Sequence, residues 1–247
     1  MHIPDGFLNN NVAGPLLGTA GAFAAVAAHK LRSAVTKRVM VQKKRLATAP
    51  DVGSMDMSSQ TQFSAAGRQL MLRMATVGAL IFAAQMMNFP IAGGTSGHLL
   101  GGVLAALILG PWAGFIVITV IVAIQAFVFG DGGLVALGAN IINMGLIGTV
   151  GGWHVFQYIF RLYRRHKKYT WLAMAITAWL SVMLAATAAS LEFGLAGTIS
   201  MSQVLPAMLS IHALIGIGEA IITVAFIAFL QKRNEPLFIF TDNQHET

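Results

Sequence analysis

The chain has 247 residues, of which 56% are hydrophobic and only 10% are charged. Soluble domains carry about 25% charged residues, so this composition predicts an all-α, polytopic membrane protein rather than a soluble domain. Cysteine is absent, which excludes disulfides and thiolate metal sites and leaves histidine, carboxylate, methionine and backbone nitrogen as possible ligands.

The first eight residues, MHIPDGFL, bring three nitrogens close together in sequence. These are the α-amine of Met1, the main-chain amide of His2 and the imidazole of His2. Bound to one metal ion, they close a five-membered and a six-membered chelate ring that are nearly coplanar, which suits square-planar Ni(II) or Cu(II). The competing interpretation is a histidine placed by chance in a frayed terminus.

Pro4-Asp5-Gly6 is typical of a turn, which would fold the terminus back onto the protein. Asp5 either makes only this turn or also accepts the ring N–H of His2. The segment lacks the basic start, apolar stretch and cleavage site of a signal peptide, so we expect it to be retained.

Hydropathy predicts seven transmembrane helices in chain order. The apolar stretch 98–129 is too long for one span, and Pro111 fits the first turn of a new helix, so we divide it there. The predicted helices cover residues 12–29, 69–88, 98–109, 111–129, 138–161, 170–192 and 205–231. The connections 89–97, 130–137 and 193–204 then lie on the same side as the N-terminus.

All 16 Lys and Arg residues fall within 30–73, 161–168 and 232–233, which a seven-helix count places on one face. The positive-inside rule makes that face cytoplasmic and the N-terminus external, in a multi-pass protein of the cell membrane. The basic connection 30–69 and the tail 232–247 are then the cytoplasmic parts of a single domain, 1–247. Anionic lipid or a cytoplasmic partner protein explains these charges, so no nucleic acid is expected.

Two of the seven histidines are candidates for the fourth corner of a metal site. We favour His98, which follows the outer connection 89–97, with Thr95 or Ser96 as the predicted N-cap of the third helix. The positive end of that helix would keep the ring neutral, as metal ligation needs. His212, on the outer half of the last helix, is the second candidate, although a buried, hydrogen-bonded histidine is the better interpretation.

Other polar residues in apolar surroundings are candidate supports for the site, because charge inside a membrane is costly and usually functional. Glu219 either balances the charge of a cation or pairs with a polar group in the bundle. Asn140 and Asn143 either face outer polar space or cross-link helices. Asp131 and Glu192 are expected to be solvated, and no catalytic arrangement is visible, so we do not expect an enzyme.

Four stretches of the sequence resemble the CbiM/NikM family, the substrate-capture subunits (S components) of energy-coupling factor (ECF) transporters for nickel and cobalt. They are MHIPDGFL at 1–8, NFPIAGGTSGHLLGG at 88–102, FGDGGLVALGANIINMG at 129–145 and HALIGIGEA at 212–220. The resemblance covers about 1–28 and 70–230. It implies seven helices, an external N-terminus and Ni(II) or Co(II) bound by the Met1 amine, the His2 amide and ring, and His98.

The resemblance also implies partners: a transmembrane coupling subunit, two cytoplasmic ATPases and a small accessory membrane subunit that would be a separate chain here. The expected function is capture of Ni(II) or Co(II) outside the cell for an ATP-driven transporter. A self-sufficient metal channel or secondary carrier, and a scaffold that binds no metal, are the alternatives. The connection 30–69 is longer and more basic than we expect for the family.

Overall fold

Apolar helices make up most of the chain in this computed structural model, which describes residues 2–42, 57–91, 95–162, 168–235 and 237. Two short antiparallel hairpins accompany them. The helices are α1 (Asn10–Val35), α2 (Ala65–Gln85), α3 (Gly102–Leu109), α4 (Pro111–Ile124), α5 (Leu137–Asn140), α6 (Gly152–Leu162), α7 (Lys168–Ala196) and α8 (Met201–Lys232), and the strands are β1 (Thr36–Gln42), β2 (Met57–Phe63), β3 (Asn88–Ile91) and β4 (Thr95–His98).

Two stretches have the wider π-helical geometry, which is frequent at functional sites. Gln125–Phe129 extends α4, and Ile141–Gly151 joins α5 to α6 so that 137–162 is one continuous rod. Both π-helical stretches begin at the end of the bundle that carries the N-terminal segment. Gln125 opens the first of them, and Asn140 immediately precedes the second.

The helix starts follow from local sequence. The side chain of Asn9 accepts a hydrogen bond from the Val12 N–H at 3.1 Å and caps α1. Ser64 caps α2 in the same way through the Gly67 N–H, at 2.9 Å. α4 begins at Pro111, whose fixed φ and missing N–H suit a first helical turn.

The short helix α3 lies at the centre of the bundle, and all eight of its residues are buried. A helix that is apolar on every side requires neighbours all round. One neighbour approaches closely, because a Cβ on Gly102 would lie 2.6 Å from the main chain of Gly148. Close packing on all sides fixes the position of α3. It thereby also fixes the residues just before it, including His98.

The observed helices overlap the predicted ones, although α1 runs past its predicted end at residue 29 to Val35 and α3 begins at Gly102 rather than at residue 98. Four of the described segments are long and apolar enough to cross a membrane. They are Asn10–Val35, Pro111–Phe129, Tyr169–Ala196 and Met201–Lys232. The chain is thus a helical, multi-pass membrane protein.

The fold departs from the all-helix prediction at two connections. The expected loop 89–97 is largely the hairpin β3–β4, in which Asn88 pairs with His98. Part of the basic connection 30–69 is the hairpin β1–β2, in which Thr36 pairs with Phe63. A hairpin is held together by hydrogen bonds between main-chain groups. A hydropathy pattern reports only on side chains, so it does not reveal such pairing. Residues 43–56, 92–94, 163–167 and most of the tail 232–247 lie outside the described residues.

Candidate metal centre

The N-terminal segment is fixed to the bundle through the main chain of Ile3. The Asn140 side chain pairs with both of its polar groups: Oδ1 accepts from the Ile3 N–H at 2.8 Å, and Nδ2 donates to the Ile3 carbonyl at 3.1 Å. The Gly133 N–H donates to the same carbonyl at 2.8 Å. Ile3 is buried, so the adjacent His2 is held in a defined place.

Further contacts hold the rest of this segment. The Asp5 carboxylate accepts hydrogen bonds from the N–H groups of Leu134 (3.1 Å) and Val135 (2.8 Å). The carbonyl of Phe7 accepts from the Thr198 hydroxyl at 2.9 Å. Asp5 thus ties the segment to the loop 130–137 rather than accepting the ring N–H of His2, which was one of the two roles expected for it.

The loop 130–137 needs glycine because the N-terminal segment lies directly against it. Gly132 has φ +96°, and a Cβ there would lie 3.2 Å from His2 Cδ2 and 3.1 Å from Asn140 Nδ2. A Cβ on Gly133 would overlap Asp5. Glycine at both positions therefore lets the loop close over the segment that carries His2.

The central feature of the site is a pair of imidazole rings from residues 96 positions apart. His98 Nε2 lies 3.1 Å from His2 Nδ1, and the ring centroids are 4.5 Å apart. The other nitrogen of His98, Nδ1, lies 2.7 Å from the Leu99 carbonyl, which can only accept. His98 therefore carries its proton on Nδ1 and directs the lone pair of Nε2 at His2.

Asp131 joins this pair, although the sequence suggested a merely solvated carboxylate. Its Oδ1 lies 3.2 Å from His2 Nδ1, and its side chain is 30% exposed. Two acceptors, a carboxylate oxygen and the bare nitrogen of His98, thus converge on a single nitrogen of His2. The imidazole pair thus has a negative charge beside it.

The titration behaviour of the three groups suits metal binding. Burial lowers the pKa of His2 below its usual value, with contact from Asp131 acting in the opposite direction. Burial also lowers the pKa of His98 well below the usual value. The hydrogen bond from His2 lowers the pKa of Asp131. Both rings are therefore neutral and Asp131 is ionised near pH 7, the states that ligation requires.

The neutral state of His98 has a different origin from the one expected. Thr95 and Ser96 belong to β4, and the N-cap of α3 is Gly101, three residues after His98. The dipole of α3 therefore does not act on His98 in the way that the predicted cap implied. Burial, which lowers its pKa, keeps the ring neutral instead, and the bond to the Leu99 carbonyl places the one remaining proton on Nδ1.

Glu219, on α8, binds the two main-chain N–H groups that immediately precede α3. Its carboxylate accepts hydrogen bonds from the N–H groups of Leu100 (2.9 Å) and Gly101 (2.6 Å). Of the two roles weighed for Glu219, the contacts thus give it polar groups of the bundle as partners, at the positive end of a helix. This carboxylate ties α8 to the peptide units that directly follow Leu99 and Leu100.

His212 and Asn143 make no hydrogen bond to the imidazole pair among the described residues, although a Cβ on Gly97, the neighbour of His98, would lie 3.5 Å from His212 Cε1. His212 is buried and its Nδ1 lies 2.7 Å from the Met208 carbonyl. The Asn143 Nδ2 donates to Glu192 at 2.7 Å, and both side chains are buried. Asn143 thus cross-links two helices, and Glu192 is buried with a partner rather than solvated as the sequence suggested.

Two glutamines near the site were missed by the sequence analysis. Gln85 donates to the Leu100 carbonyl at 2.7 Å, and Gln125 donates to Gln85 Oε1 at 3.0 Å. Both are fully buried. The available signal was a glutamine within an otherwise apolar run, which in a membrane helix usually has a polar partner.

Met1 lies outside the described residues. Within the described residues, no three His, Asp or Glu side chains form a group suited to a metal ion. The imidazole pair, the main-chain nitrogen of His2 and the nearby carboxylate of Asp131 are the donors in hand. This set is rich in nitrogen, and nitrogen donors suit nickel, copper and cobalt better than magnesium or calcium.

The fold and site together define a multi-pass helical membrane protein with paired histidines at one end of its bundle. Residues 57–237 match the family model described as the cobalt uptake substrate-specific transmembrane region, CbiM. The chain therefore belongs to the CbiM family.

Two relatives illustrate the family. A NikMN protein of Archaeoglobus fulgidus is 34% identical over 232 residues, covering 93% of this chain and 65% of that protein. The cobalt transport protein CbiM of Sorangium cellulosum is 32% identical over 164 residues, covering 64% of this chain and 71% of that protein. This chain thus spans slightly less than two thirds of the fused NikMN protein.

The fold is also that of a solved protein. A crystal structure of a transition metal transporter superposes with a TM-score of 0.76 at 30% sequence identity. The match covers 96% of this chain and 95% of the other. A likeness this complete extends over the whole arrangement of helices and not only over the motifs at the site.

Proposed function

We propose that this protein captures Ni(II) or Co(II) at the outer face of the cell membrane, as the substrate-binding (S) subunit of an ATP-driven ECF-type transporter. The observation that carries the proposal is the approach of His2 Nδ1 and His98 Nε2 to 3.1 Å. Two nitrogens bound at right angles to one ion, each at about 2.0 Å, are about 2.8 Å apart. The rings therefore lie close to the spacing of neighbouring corners in a square.

The remaining two corners are the main-chain nitrogen of His2 and the α-amine of Met1. The chelate rings place the amine opposite His2 Nδ1 and the amide nitrogen opposite His98. One deprotonated amide leaves a Ni(II) centre with a net charge of +1. The carboxylate of Asp131, in contact with His2, supplies the compensating charge close to this partly buried site.

The proposed topology has seven spans, with the N-terminus outside and the C-terminus in the cytoplasm. The distribution of charge along the helices supports it. Arg68 lies at the start of α2, Arg161 near the end of α6 and Lys232 at the end of α8, all at the bundle end opposite His2 and His98. By the positive-inside rule, the histidine pair then faces the outside, where the metal is collected.

The proposed partners are a transmembrane coupling subunit, two cytoplasmic ATPases and a small accessory membrane subunit. This division of labour is the one that the resemblance to S components implies, and the matching family model is described as a substrate-specific transmembrane region. In this scheme the chain selects and holds the ion, and hydrolysis of ATP by its partners drives the transfer inward.

The test is metal binding by full-length protein with a native first residue, compared with protein carrying a ten-residue Gly/Ser extension ahead of Met1. We expect one Ni(II) per chain with the yellow colour of a square-planar, diamagnetic centre, and loss of this species in the extended protein. The extension converts the Met1 amine to an amide and places the new terminal amine too far from His2 to join its chelate rings. A matched control adds the same extension after Thr247. Equal binding by all three proteins would contradict the proposal.

A further inference from the structure

An apolar groove runs along the outside of the bundle, between α1 and α2 and over the surface of α4. It consists of two hollows of about 540 and 510 Å³, which share Met74 and Ile116 and therefore adjoin. The hollow nearer the histidine pair is lined by apolar residues alone. The other is apolar except for Arg32 and Thr36. Each volume lies in the range of about 300–1,000 Å³ that is typical of small-molecule sites.

The part of the groove that begins at Arg32 is about as long as one leaflet of a bilayer is thick. Met71 and Gly78 of α2 line it, and Arg68, three positions before Met71, lies on the same face of the helix. Arg68 and Gly78 are ten positions apart, or about 15 Å along a helix. Half of a hydrocarbon core of about 30 Å has the same length. A Cβ on Gly78 would lie 3.3 Å from Val117 Cγ1, so α4 closes the floor of the groove there.

Two arginines lie at the end of the groove that is remote from the histidine pair. Arg32, in the last turn of α1, is exposed and lines the groove. Arg68, at the start of α2, is also exposed, and its Nη1 donates to the Phe63 carbonyl at 3.0 Å. The Ser64 N–H donates to the Val35 carbonyl at 2.9 Å, which holds the start of α2 against the end of α1. Both guanidinium groups are therefore at the same surface of the membrane.

The positive charge at this surface is not balanced by acidic residues nearby in the chain. Residues 6–130 contain nine Lys or Arg residues and only two acidic ones, Asp51 and Asp56, which lie outside the described residues. Among the described residues, no carboxylate is within ion-pair distance of Arg32 or Arg68. An anion from outside the chain would therefore find these charges uncompensated.

The groove and the charges together match one class of molecule, an anionic phospholipid. An acyl chain fits an apolar groove one leaflet long, and a phosphate accepts the paired hydrogen bonds that a guanidinium group donates. A neutral lipid or an apolar helix would match the groove but not Arg32. An acidic soluble protein would match the charge but not the groove.

We propose that this groove binds one anionic phospholipid, with its phosphate at Arg32 and Arg68 and an acyl chain between α1 and α2. The lipid belongs to the cytoplasmic leaflet in the proposed topology, where anionic lipids attract basic segments. The site gives part of the basic connection 30–69 a function that does not involve the metal. Its test therefore does not depend on whether His2 and His98 bind an ion.

The experiment titrates delipidated, full-length protein in detergent with phosphatidylglycerol or with phosphatidylcholine of the same acyl chains, and native mass spectrometry counts the bound lipids. We expect one phosphatidylglycerol per chain, bound about tenfold more tightly than phosphatidylcholine. Arg32→Gln and Arg68→Gln should each weaken phosphatidylglycerol binding about fivefold, the effect of one basic residue at a membrane surface. Lys232→Gln, the same change of charge at the end of α8, is the matched control and should stay within twofold of native binding.

A second pair of variants tests the groove itself. Ala28→Phe places a ring in the groove and should weaken the binding of both lipids about tenfold. Ala25→Phe makes the same change at an exposed position of α1 that does not line the groove, and should bind as the native protein does.

Three results would overturn the proposal. The first is equal binding of the two lipids by the native protein, and the second is an equal loss in Lys232→Gln and Arg32→Gln. The third is native binding in Ala28→Phe, which would mean that the lipid contacts surface charges and not the groove. If the native protein preferred neither lipid, and Ala28→Phe but not Ala25→Phe failed to co-purify with a co-expressed coupling subunit, the occupant would be a helix of that partner instead.

Discussion

His98 and His212 are two fully buried histidines with nearly the same local chemistry and different surroundings. In each, Nδ1 lies 2.7 Å from a main-chain carbonyl, that of Leu99 or that of Met208, which leaves Nε2 as the lone-pair nitrogen. The Nε2 of His98 meets His2, whereas that of His212 has no hydrogen-bond partner among the described residues. Burial and tautomer are therefore the same in the proposed ligand and in the structural histidine. The difference between them is that the N-terminal segment contacts only His98 with its own histidine, His2.

The strongest test of this contrast removes each ring in turn. His98→Ala should weaken Ni(II) binding by more than about 100-fold, because loss of a ligand costs more than loss of an outer partner. His212→Gln should stay within about threefold of the native affinity. Isothermal titration with native-terminus protein measures both. Comparable losses in the two variants would mean that His212 is part of the donor set.

A second test weakens the attachment of the N-terminal segment, whose contact distinguishes His98 from His212. Asn140→Leu removes both hydrogen bonds to Ile3 and should weaken Ni(II) binding about tenfold, the lower end for residues that support ligands. The freed segment should also be cut more rapidly by added protease. Unchanged affinity together with rapid cleavage would show that the segment is not needed for binding.

A smaller effect is expected from the carboxylate at the edge of the site. Asp131→Asn should weaken binding about threefold, since a partly exposed charge is screened by solvent. The loss should shrink further in high salt. Glu235→Gln, at an exposed position beyond α8, is the matched control and should bind as the native protein does. A loss in Asp131→Asn that does not depend on salt would indicate direct ligation instead.

The smallest effect on binding is expected at the buried Asn143–Glu192 pair, which is structural in this account. Asn143→Leu leaves a buried carboxylate without its donor and should lower the free energy of unfolding by about 1–3 kcal/mol. Glu192→Gln keeps an acceptor and should be nearly neutral. Thermal unfolding in detergent measures both, and Ni(II) affinity should change less than twofold in either variant.

The parts of this structure that sequence could predict are those determined by short stretches of chain. Hydropathy places the helices, and Pro111 places the start of α4. Contacts between residues far apart in sequence could not be specified. Asp131 was expected to be solvated because nothing near it in sequence indicates His2, and the partner of Glu219 lies 118 positions away.

The approach of His98 to His2 agrees with the sequence analysis, and their role as metal ligands stays a prediction. The spacing of nitrogens at His2 is a property of two residues, so it can be recognised in the sequence, and His98 was selected as its companion. The reason given for a neutral His98 was wrong, because the strand β4 replaces the predicted helix start. Gln85 and Gln125 were overlooked because a hydropathy value is averaged over many residues, so one polar side chain in an apolar helix hardly changes it.

The bond from Glu219 to the peptides after His98 bears on how an ion could leave. The two residues before α3 are joined to α8 by this carboxylate and to α2 by Gln85, so His98 is anchored by the helices. His2 belongs to the N-terminal segment, which Asn140, the loop 130–137 and Thr198 hold through Ile3, Asp5 and Phe7. Movement of this segment alone would separate the two rings and leave the helix packing unchanged, so we expect an ion to be released when the segment moves.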